Sequence, residues 1–252
     1  MSVDLTTNST GTVATVTLNR PEALNAMTVQ ALREVGDAFQ QADREGARII
    51  LLRGAGRSFC AGADRKQYPG YKSSEKDEGV AQHAIEIGIQ LKRALMNVNA
   101  MTVAQVHGHA VGGGLVMAMC CDMRFAAEDA KLSLPELKLA LPLGWGALYR
   151  LIELVGTTRA WSMLAGFEVL SGRQGVEAGL MSDAFAPDEL EEQVRERIEN
   201  LLEIDAEALF LTKRQFRAIT ARASFGNLED IDGALLLGPL RGLNVREKFA
   251  GL

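Results

Sequence analysis

Hydrophobic and polar residues along this chain follow a spacing that changes from that of a strand to that of a helix and back. Between Val13 and Leu18 the two kinds of residue alternate, as in a strand with one buried face. Thr28 then precedes apolar residues that recur every three or four positions from Val29 to Ala42, which predicts an amphipathic helix capped by the threonine side chain. The apolar run 48–52 predicts a fully buried strand.

The rest of the chain continues this alternation and then becomes helical. Strands are predicted over residues 102–107, 123–126 and 131–134, and helices over residues 81–98, 147–155, 157–165, 187–202, 206–223 and 228–249, with a further helix opening after Gly112. Pro187 and the acids after it mark a helix start, because proline suits the first turn and acids favour the positive end of the helix dipole. The polar stretch from Tyr68 to Gly79 predicts a mobile surface loop. Strands that alternate with helices predict an α/β fold with a largely parallel sheet.

The composition is that of a globular protein and excludes several classes of function. Hydrophobic residues make up 47% and charged residues 23% of the 252 residues, and 27 basic against 32 acidic residues give a formal net charge of -5. Nucleic acid is therefore a poor candidate partner. Residues 1–10 lack the pattern of a secretion signal, and no apolar run reaches the ~20 residues of a membrane span. We expect a cytoplasmic protein without a membrane partner.

The cysteines and histidines do not predict a metal site. Cys60, Cys120 and Cys121 show no spacing suited to a metal, and His107 and His109 have no third ligand in view. A reactive thiol at Cys60 is conceivable, but a buried small hydrophobic residue is the better interpretation. For the two histidines, packing or hydrogen bonding is the better interpretation.

Two glycine-rich turns, residues 54–64 and 108–114, each follow a buried strand. Glycines at the start of a helix leave backbone N–H groups bare where the helix dipole favours negative charge. Neither turn has the spacing of a dinucleotide fingerprint or of a P-loop, so simple nucleotide binding is disfavoured. If the two turns meet in space, their N–H groups can converge on one carbonyl oxygen and stabilise it as an enolate.

Several motifs together resemble those of the crotonase superfamily, the enoyl-CoA hydratase/isomerase family. In family order, they are residues 19–27 (NRPEALNAM), 58–64 (SFCAGAD), 108–114 (GHAVGGG) with Cys121-Asp122, 134–137 (LPEL) and 178–180 (AGL). The resemblance covers about residues 3 to 250. It implies a crotonase-like spiral of ββα turns with a C-terminal helical region that assembles trimers, which are usually paired into hexamers. We place the spiral core in residues 1–195 and the oligomerisation region in residues 196–252, as one continuous family unit.

Carried over position by position, the resemblance assigns roles to individual residues. The N–H groups of Ala63 and Gly113 form an oxyanion hole for a thioester carbonyl. The site for the adenosine and pyrophosphate end of coenzyme A is lined by Ala23, Leu24, Ala61, Ala63 and Lys66. Lys66 is equally well interpreted as a solvated surface charge. The coenzyme is part of the substrate, so neither a separate cofactor nor a metal is expected.

The resemblance also suggests which reaction to expect. Hydratases of the family use two glutamates, and this chain has Val116 at the first of those positions and Glu136 at the second. The apolar run around Glu136 predicts a carboxyl group with a raised pKa, suited to act as a base. Trp145, in place of a usual glycine-rich turn, either fills acyl-pocket volume beside Val116 or anchors a helix start. One carboxylate is enough to move a proton, which favours isomerisation of a 3-enoyl to a 2-enoyl thioester in fatty acid metabolism.

The sequence also allows other functions. A hydratase, dehydratase, carbon-carbon lyase or synthase of the same superfamily also uses an enolate in an oxyanion hole. The carrier is coenzyme A or an acyl carrier protein. Outside enzymes, the fold supports non-catalytic thioester-binding and RNA-binding proteins, against which Glu136 and the acidic balance argue. Asp122 and Asp183 are better interpreted as structural acids than as catalysts.

Overall fold

Two β-sheets and the helices that join their strands make up the fold, and the computed structural model describes residues 2–64 and 78–223. The strands are β1 (Val3–Thr7), β2 (Val13–Leu18), β3 (Ile49–Gly54), β4 (Met101–Val106), β5 (His109–Val111), β6 (Met123–Ala127), β7 (Lys131–Ser133), β8 (Leu170–Ser171) and β9 (Asp183–Phe185). The helices are α1 (Val29–Arg44), α2 (Glu78–Asn97), α3 (Gly113–Cys120), α4 (Ala147–Leu164), α5 (Gly172–Glu177), α6 (Leu190–Glu203) and α7 (Ala206–Ala223). Pro21–Ala23 and Glu136–Leu139 form short 3-10 helices.

The larger sheet has the strand order β1-β2-β3-β4-β6-β9 and is parallel except for β1, which runs antiparallel to β2. The smaller sheet has the order β5-β7-β8, with β5 parallel to β7 and β8 antiparallel to it. Parallel neighbours need a crossover connection, and α1, α2 and α3 supply it in the larger sheet. The predicted, largely parallel sheet is confirmed.

Each strand at the centre of the larger sheet is followed by a short extended segment in a second layer and then by a helix. After β2 this segment is Met27, which bridges Ala63, and after β3 it is Cys60, which bridges Ala110 in β5. After β4 it is β5, and after β6 it is β7. The repeated order of strand, short strand and helix confirms the predicted ββα spiral.

The first helix shows how the sequence pattern produces the core. The Thr28 hydroxyl accepts a hydrogen bond from the Ala31 N–H at 3.0 Å, so the predicted cap of α1 is confirmed. The apolar face of α1 is fully buried at Leu32 and Phe39. Against α2, a Cβ added at Gly36 of α1 would lie 3.6 Å from the Ala94 Cβ, which is ordinary packing distance.

Several predicted boundaries are confirmed and two helix starts are wrong, one of them that of α2, which begins at Glu78 and not at residue 81. The observed β2 and α7 have the predicted bounds, and the two helices predicted on either side of Gly156 form α4, which bends at that glycine with a φ of 72°. The helix predicted from Pro187 begins instead at Leu190. The Ala186 carbonyl accepts the N–H groups of both Glu189 and Leu190, which holds Pro187 in a turn before the helix. Strands β1, β5, β8 and β9 and helix α5 were not predicted.

Some predictions fall outside the described residues. The predicted loop from Tyr68 to Gly79 lies there except for its last two residues, which already belong to α2. The predicted helix 228–249 lies there entirely. The predicted boundary between residues 195 and 196 falls inside α6, and the division into core and oligomerisation region stays a prediction. None of the helices within the described residues is long and apolar enough to cross a membrane.

A buried ammonium group fastens α7 to the larger sheet. Lys213 Nζ donates to the Ala100 carbonyl and to Asp122 Oδ2, at 2.5 Å each. The same Asp122 oxygen accepts from the N–H and the hydroxyl of Thr102, at 2.8 Å each. Burial lowers the pKa of Lys213, and the Asp122 carboxylate opposes that effect. The structure therefore supports the interpretation of Asp122 as a structural acid.

Replacing Asp122 tests this anchor. In Asp122→Ala the Lys213 ammonium stays buried without its counter-ion, so we expect the free energy of unfolding to fall by about 3 kcal/mol in urea titrations. The double variant Asp122→Ala, Lys213→Met removes both charges and should recover much of this loss. In the control Glu192→Ala, which breaks an exposed ion pair with Arg195, the change should stay below about 0.5 kcal/mol. A loss in Asp122→Ala as small as in the control would contradict the assignment.

Candidate active site

A buried asparagine holds the glycine-rich turn that follows β3. Asn25 Nδ2 donates to the Ala55 carbonyl at 2.9 Å and to the Ser58 carbonyl at 2.7 Å, while its Oδ1 accepts from the Arg20 N–H at 2.9 Å. The φ of Asn25 is 56°, in a left-handed region that asparagine tolerates better than most residues. The Arg20 guanidinium donates to Asp64 Oδ2 at 2.8 Å at the end of the turn. The turn is thus fixed at both ends before the chain leaves it.

The backbone around Ala63 shows where its N–H group points. The Met27 N–H donates to the Gly62 carbonyl at 2.8 Å, and the Asp64 N–H donates to the Met27 carbonyl at 2.9 Å. These two bonds flank Ala63, and in an extended segment the groups of the residue between them face the other way. Within the part of the chain that the structure describes, no backbone carbonyl accepts the Ala63 N–H. This donor is therefore aimed away from Met27 and is available to a ligand.

The second glycine-rich turn meets the first one at the start of α3. A Cβ added at Gly114 would lie 2.6 Å from the Cys60 carbonyl oxygen, so only a glycine allows this approach. The Val111 N–H donates to the same carbonyl at 3.0 Å. Gly113 is the first residue of α3, where N–H groups have no partner within the helix and the dipole is positive. The two turns that the sequence singled out are thus brought together.

Glu136 lies beside this helix start. A Cβ added at Gly112 would lie 2.9 Å from Glu136 Oε1, and Glu136 Oε2 is buried and has no hydrogen-bond partner among the described residues. Burial raises the pKa of Glu136 to about 7, although a hydrogen bond from its own backbone N–H partly opposes the effect. The predicted increase in the pKa of Glu136 is thus confirmed in its direction. Such a carboxyl group can both take up and release a proton near neutral pH.

Val116 lies on the same face of α3 as the contact with Glu136. It follows Gly112 by one helical turn, its N–H donates to the Gly112 carbonyl at 3.0 Å, and it is 2% exposed. At this position a glutamate would add a second carboxylate close to the first. The valine can neither accept a proton nor hold a water molecule.

Trp145 lies against the other side of the helix start. A Cβ added at Gly113 would lie 2.6 Å from the end of its indole ring, so the ring is in contact with the residue predicted to donate its N–H. Helix α4 begins two residues later, at Ala147. The two interpretations of Trp145, as a wall of the pocket and as the start of a helix, are therefore compatible.

The residues predicted to line the coenzyme end lie next to one another where the structure describes them. The Ala61 N–H donates to the Leu24 carbonyl at 3.0 Å, and Ala23 ends the short 3-10 helix just before Leu24. Ala63 follows on the same turn as Ala61. Lys66 lies outside the described residues, so its role stays a prediction, as do the coenzyme contacts of the others.

The remaining candidates have structural surroundings. Burial raises the pKa of Cys60 to about 12 and that of Cys120 to about 11, and it raises the pKa of Cys121 as well, so all three thiols stay protonated as the buried interpretation requires. His107 contacts the Gly56 carbonyl and His109 contacts the Ser58 hydroxyl. No group of three or more metal-binding side chains occurs in the described ranges 2–64 and 78–223.

Met27 was missed as a site residue. Its backbone bridges Ala63, and its Cε would lie 2.8 Å from a Cβ added at Gly113, so it contacts both predicted donors. Asn25 and Arg20 were quoted within a family motif without a role. The signal available for Asn25 is its polar side chain between Leu24 and Ala26, where an unpaired amide would be costly to bury.

Comparison with known proteins finds relatives of one family. A family model described as enoyl-CoA hydratase/isomerase matches residues 8–229. The chain is 32% identical over 225 residues to a crotonyl-CoA hydratase of Syntrophomonas wolfei, covering 88% of this chain and 82% of that protein. It is 38% identical over 171 residues to a probable enoyl-CoA hydratase of Bacillus subtilis, covering 68% of this chain and 64% of that relative. The matched region thus spans less than two thirds of the Bacillus relative's length.

Solved structures show the same fold. An enoyl-CoA hydratase from Mycobacterium avium subsp. paratuberculosis superposes with a TM-score of 0.87 at 27% identity, covering 100% of this chain and 98% of that one. An enoyl-CoA hydratase from Bacillus halodurans superposes with a TM-score of 0.90, covering 100% of both chains. Its identity is 19%, so this second similarity is one of fold alone.

Glu136→Gln should stabilise the protein above neutral pH. The unfolded chain releases the Glu136 proton near pH 4.5, whereas the folded protein holds it to about pH 7, so the wild type loses stability as the pH rises between these values. Glutamine has no such proton, and the variant should be more stable at pH 8 by up to about 3 kcal/mol, with no difference at pH 4. Urea unfolding at both pH values measures this, and Glu177→Gln, at an exposed position, is the control. The same pH dependence in Glu136→Gln and wild type would refute the burial of this charge.

Proposed function

Because the chain belongs to the enoyl-CoA hydratase/isomerase family, we propose that it isomerises a 3-enoyl thioester to the 2-enoyl thioester, with Glu136 as the acid and base. The observation that carries the proposal is the carboxyl group of Glu136, without a partner among the described residues, at the start of α3. Val116 occupies the position on the same helix face where a second carboxylate would lie. The site thus combines one proton carrier with the positive end of a helix.

The reaction needs three events that these groups can perform. The Glu136 carboxylate removes a proton from C2, and the electron pair of that C–H bond moves toward the thioester carbonyl. The N–H groups of Ala63 and Gly113 donate to the resulting enolate oxygen, each worth ~3 to 4 kcal/mol. Glu136 then returns the proton to C4, and the double bond moves from C3–C4 to C2–C3. No atom is gained or lost, so no further reactant is needed.

Hydration of a 2-enoyl thioester is the alternative. The names of the relatives favour it, since the Bacillus and Syntrophomonas proteins are both called hydratases. Addition of water requires a water molecule that is held and deprotonated, a task to which Val116 contributes nothing. A dehydratase, lyase or synthase would likewise use Glu136 and the same N–H groups. A non-catalytic thioester-binding or RNA-binding role is less well supported, because a buried, unpaired carboxylate at a binding site is costly to keep without chemistry.

The substrate carrier and the assembly are part of the proposal. We infer an acyl-CoA substrate, with an acyl carrier protein thioester as the alternative, held at the turn formed by Ala23, Leu24 and Ala61. We also infer a homotrimer or hexamer. Large apolar side chains are exposed along α4 and α7, which supports a covered surface: Leu148, Ile152, Trp161, Leu211, Phe216 and Ile219. The cytoplasmic location stays a prediction.

Two substrates distinguish the reactions. Incubation with a 3-enoyl-CoA should yield the 2-enoyl-CoA, followed by its absorbance and by mass spectrometry, and no hydroxyacyl-CoA should accumulate from either substrate. Turnover of the 2-enoyl-CoA alone, with a mass gain of one water, would overturn the isomerase proposal in favour of the hydratase.

The pH profile and one substitution test the role of Glu136. The base must be ionised, so kcat/KM should rise about tenfold per pH unit below a pKa of about 7 and level off above it. Glu136→Gln should lower kcat by a factor of roughly 10² to 10⁴ while coenzyme A binding, measured by calorimetry, is retained. Glu177→Gln should behave as wild type. Unchanged activity in Glu136→Gln would remove this residue from the mechanism.

A further inference from the structure

The indole of Trp145 fills the gap between α2 and the start of α3. At Gly88 of α2 even a single added Cβ would overlap the indole nitrogen, and at Gly113 of α3 it would lie 2.6 Å from the far end of the ring. The Met27 Cε also contacts Gly113, at 2.8 Å from the Cβ added there. Glycines on both helices therefore make room for this ring, which reaches from one helix to the other.

The backbone holds Trp145 in a conformation that it would not choose alone. Its φ is 62°, in the left-handed region that disfavours residues with a Cβ, and Gly146 continues with a φ of 65°. Lys92 Nζ donates to the Gly146 carbonyl at 3.5 Å from the interior, which fastens this turn to α2. Unfavourable backbone conformations persist where the surrounding structure requires them, and they concentrate at functional sites. A glycine at position 145 would adopt this φ freely.

The position of the Trp145 ring relative to Glu136 determines which part of a bound acyl thioester the ring faces. Glu136 contacts Gly112, and the Trp145 indole contacts Gly113. The carboxyl group and the ring therefore lie against two adjacent residues at the start of α3. In the proposed reaction the thioester oxygen lies at the Gly113 N–H and C2 to C4 lie within reach of Glu136. A longer chain that continues between α2 and α3 would meet the indole.

We propose that Trp145 closes the acyl pocket and restricts this protein to short-chain acyl thioesters. The assignment rests on the proposed function, because it takes the Gly113 N–H and Glu136 as the ends of the reacting group. The ring excludes chains by occupying the volume that extra methylene groups would need, and its contacts with Gly88 and Gly113 hold it between α2 and α3. The glycines thus serve selectivity as well as close packing.

The chain-length profile of Trp145→Gly tests the proposal. The ratio of kcat/KM for 3-decenoyl-CoA to that for 3-hexenoyl-CoA should be low in the wild type and should rise by roughly tenfold or more in the variant. Trp145→Phe leaves a smaller ring and should give an intermediate ratio, which keeps the test valid if the glycine variant unfolds. Trp161→Phe, an exposed tryptophan on α4, should leave the ratio unchanged. A wild-type ratio near one, or ratios that are the same in all variants, would overturn the proposal.

Binding of unreactive thioesters separates this inference from the proposed reaction. Calorimetry with hexanoyl-CoA and decanoyl-CoA measures the length preference whether or not the protein isomerises anything. Tighter binding of decanoyl-CoA in Trp145→Gly, with no isomerase activity in the wild type, would uphold the role of Trp145 and refute the reaction. Isomerase activity with an unaltered length preference in both measurements would uphold the reaction and refute the role of Trp145.

Discussion

The backbone of the turn at Cys60 rests directly on the first turn of α3, and the candidate site exists because of this contact. The approach is possible because Gly114 has no side chain, since a Cβ there would lie 2.6 Å from the Cys60 carbonyl. It brings the turn that carries Ala63 against the positive end of a buried helix. The N–H groups of Ala63 and Gly113, which belong to two separate crossover connections, are thereby brought to one site.

Around this contact the protein keeps groups whose burial or backbone conformation lowers its stability. Glu136 buries a carboxylate oxygen without a partner among the described residues, and Trp145 keeps a left-handed backbone conformation. The buried ammonium of Lys213, by contrast, is paired with the Asp122 carboxylate. A buried carboxyl group at the start of α3, with one oxygen that has no partner in the described part of the chain, is the arrangement that the proposed proton transfer requires.

Much of the fold follows from local patterns, and the parts that do not follow depend on distant contacts. The alternation from Val13 to Leu18 and the cap at Thr28 are local and were predicted with their correct bounds. The start of α6 was misplaced because the Ala186 carbonyl, and not the proline, decides where the turn ends. Strands as short as β8 carry too few residues for a periodicity to show.

The candidate site likewise has features that follow from the local sequence and features that depend on distant contacts. The two glycine-rich turns could be singled out from residue types and spacing, and Glu136 from the resemblance to the family. The raised pKa of Glu136 followed from the apolar run around it. The contacts of Asn25, Met27 and Trp145 could not, because their partners lie on segments that meet only after the spiral has formed. The reach of the Trp145 ring to Gly88 depends on the placement of α2, about which the sequence near Trp145 contains no information.

The most direct test of the account is to follow deuterium from C2 of a labelled 3-enoyl-CoA during a single turnover. A single shielded carboxylate that removes and returns the same proton predicts deuterium at C4 of the 2-enoyl product, detected by NMR, and no transfer in Glu136→Gln. A product that instead carries a hydroxyl group at C3, or label transfer that persists in Glu136→Gln, would contradict it.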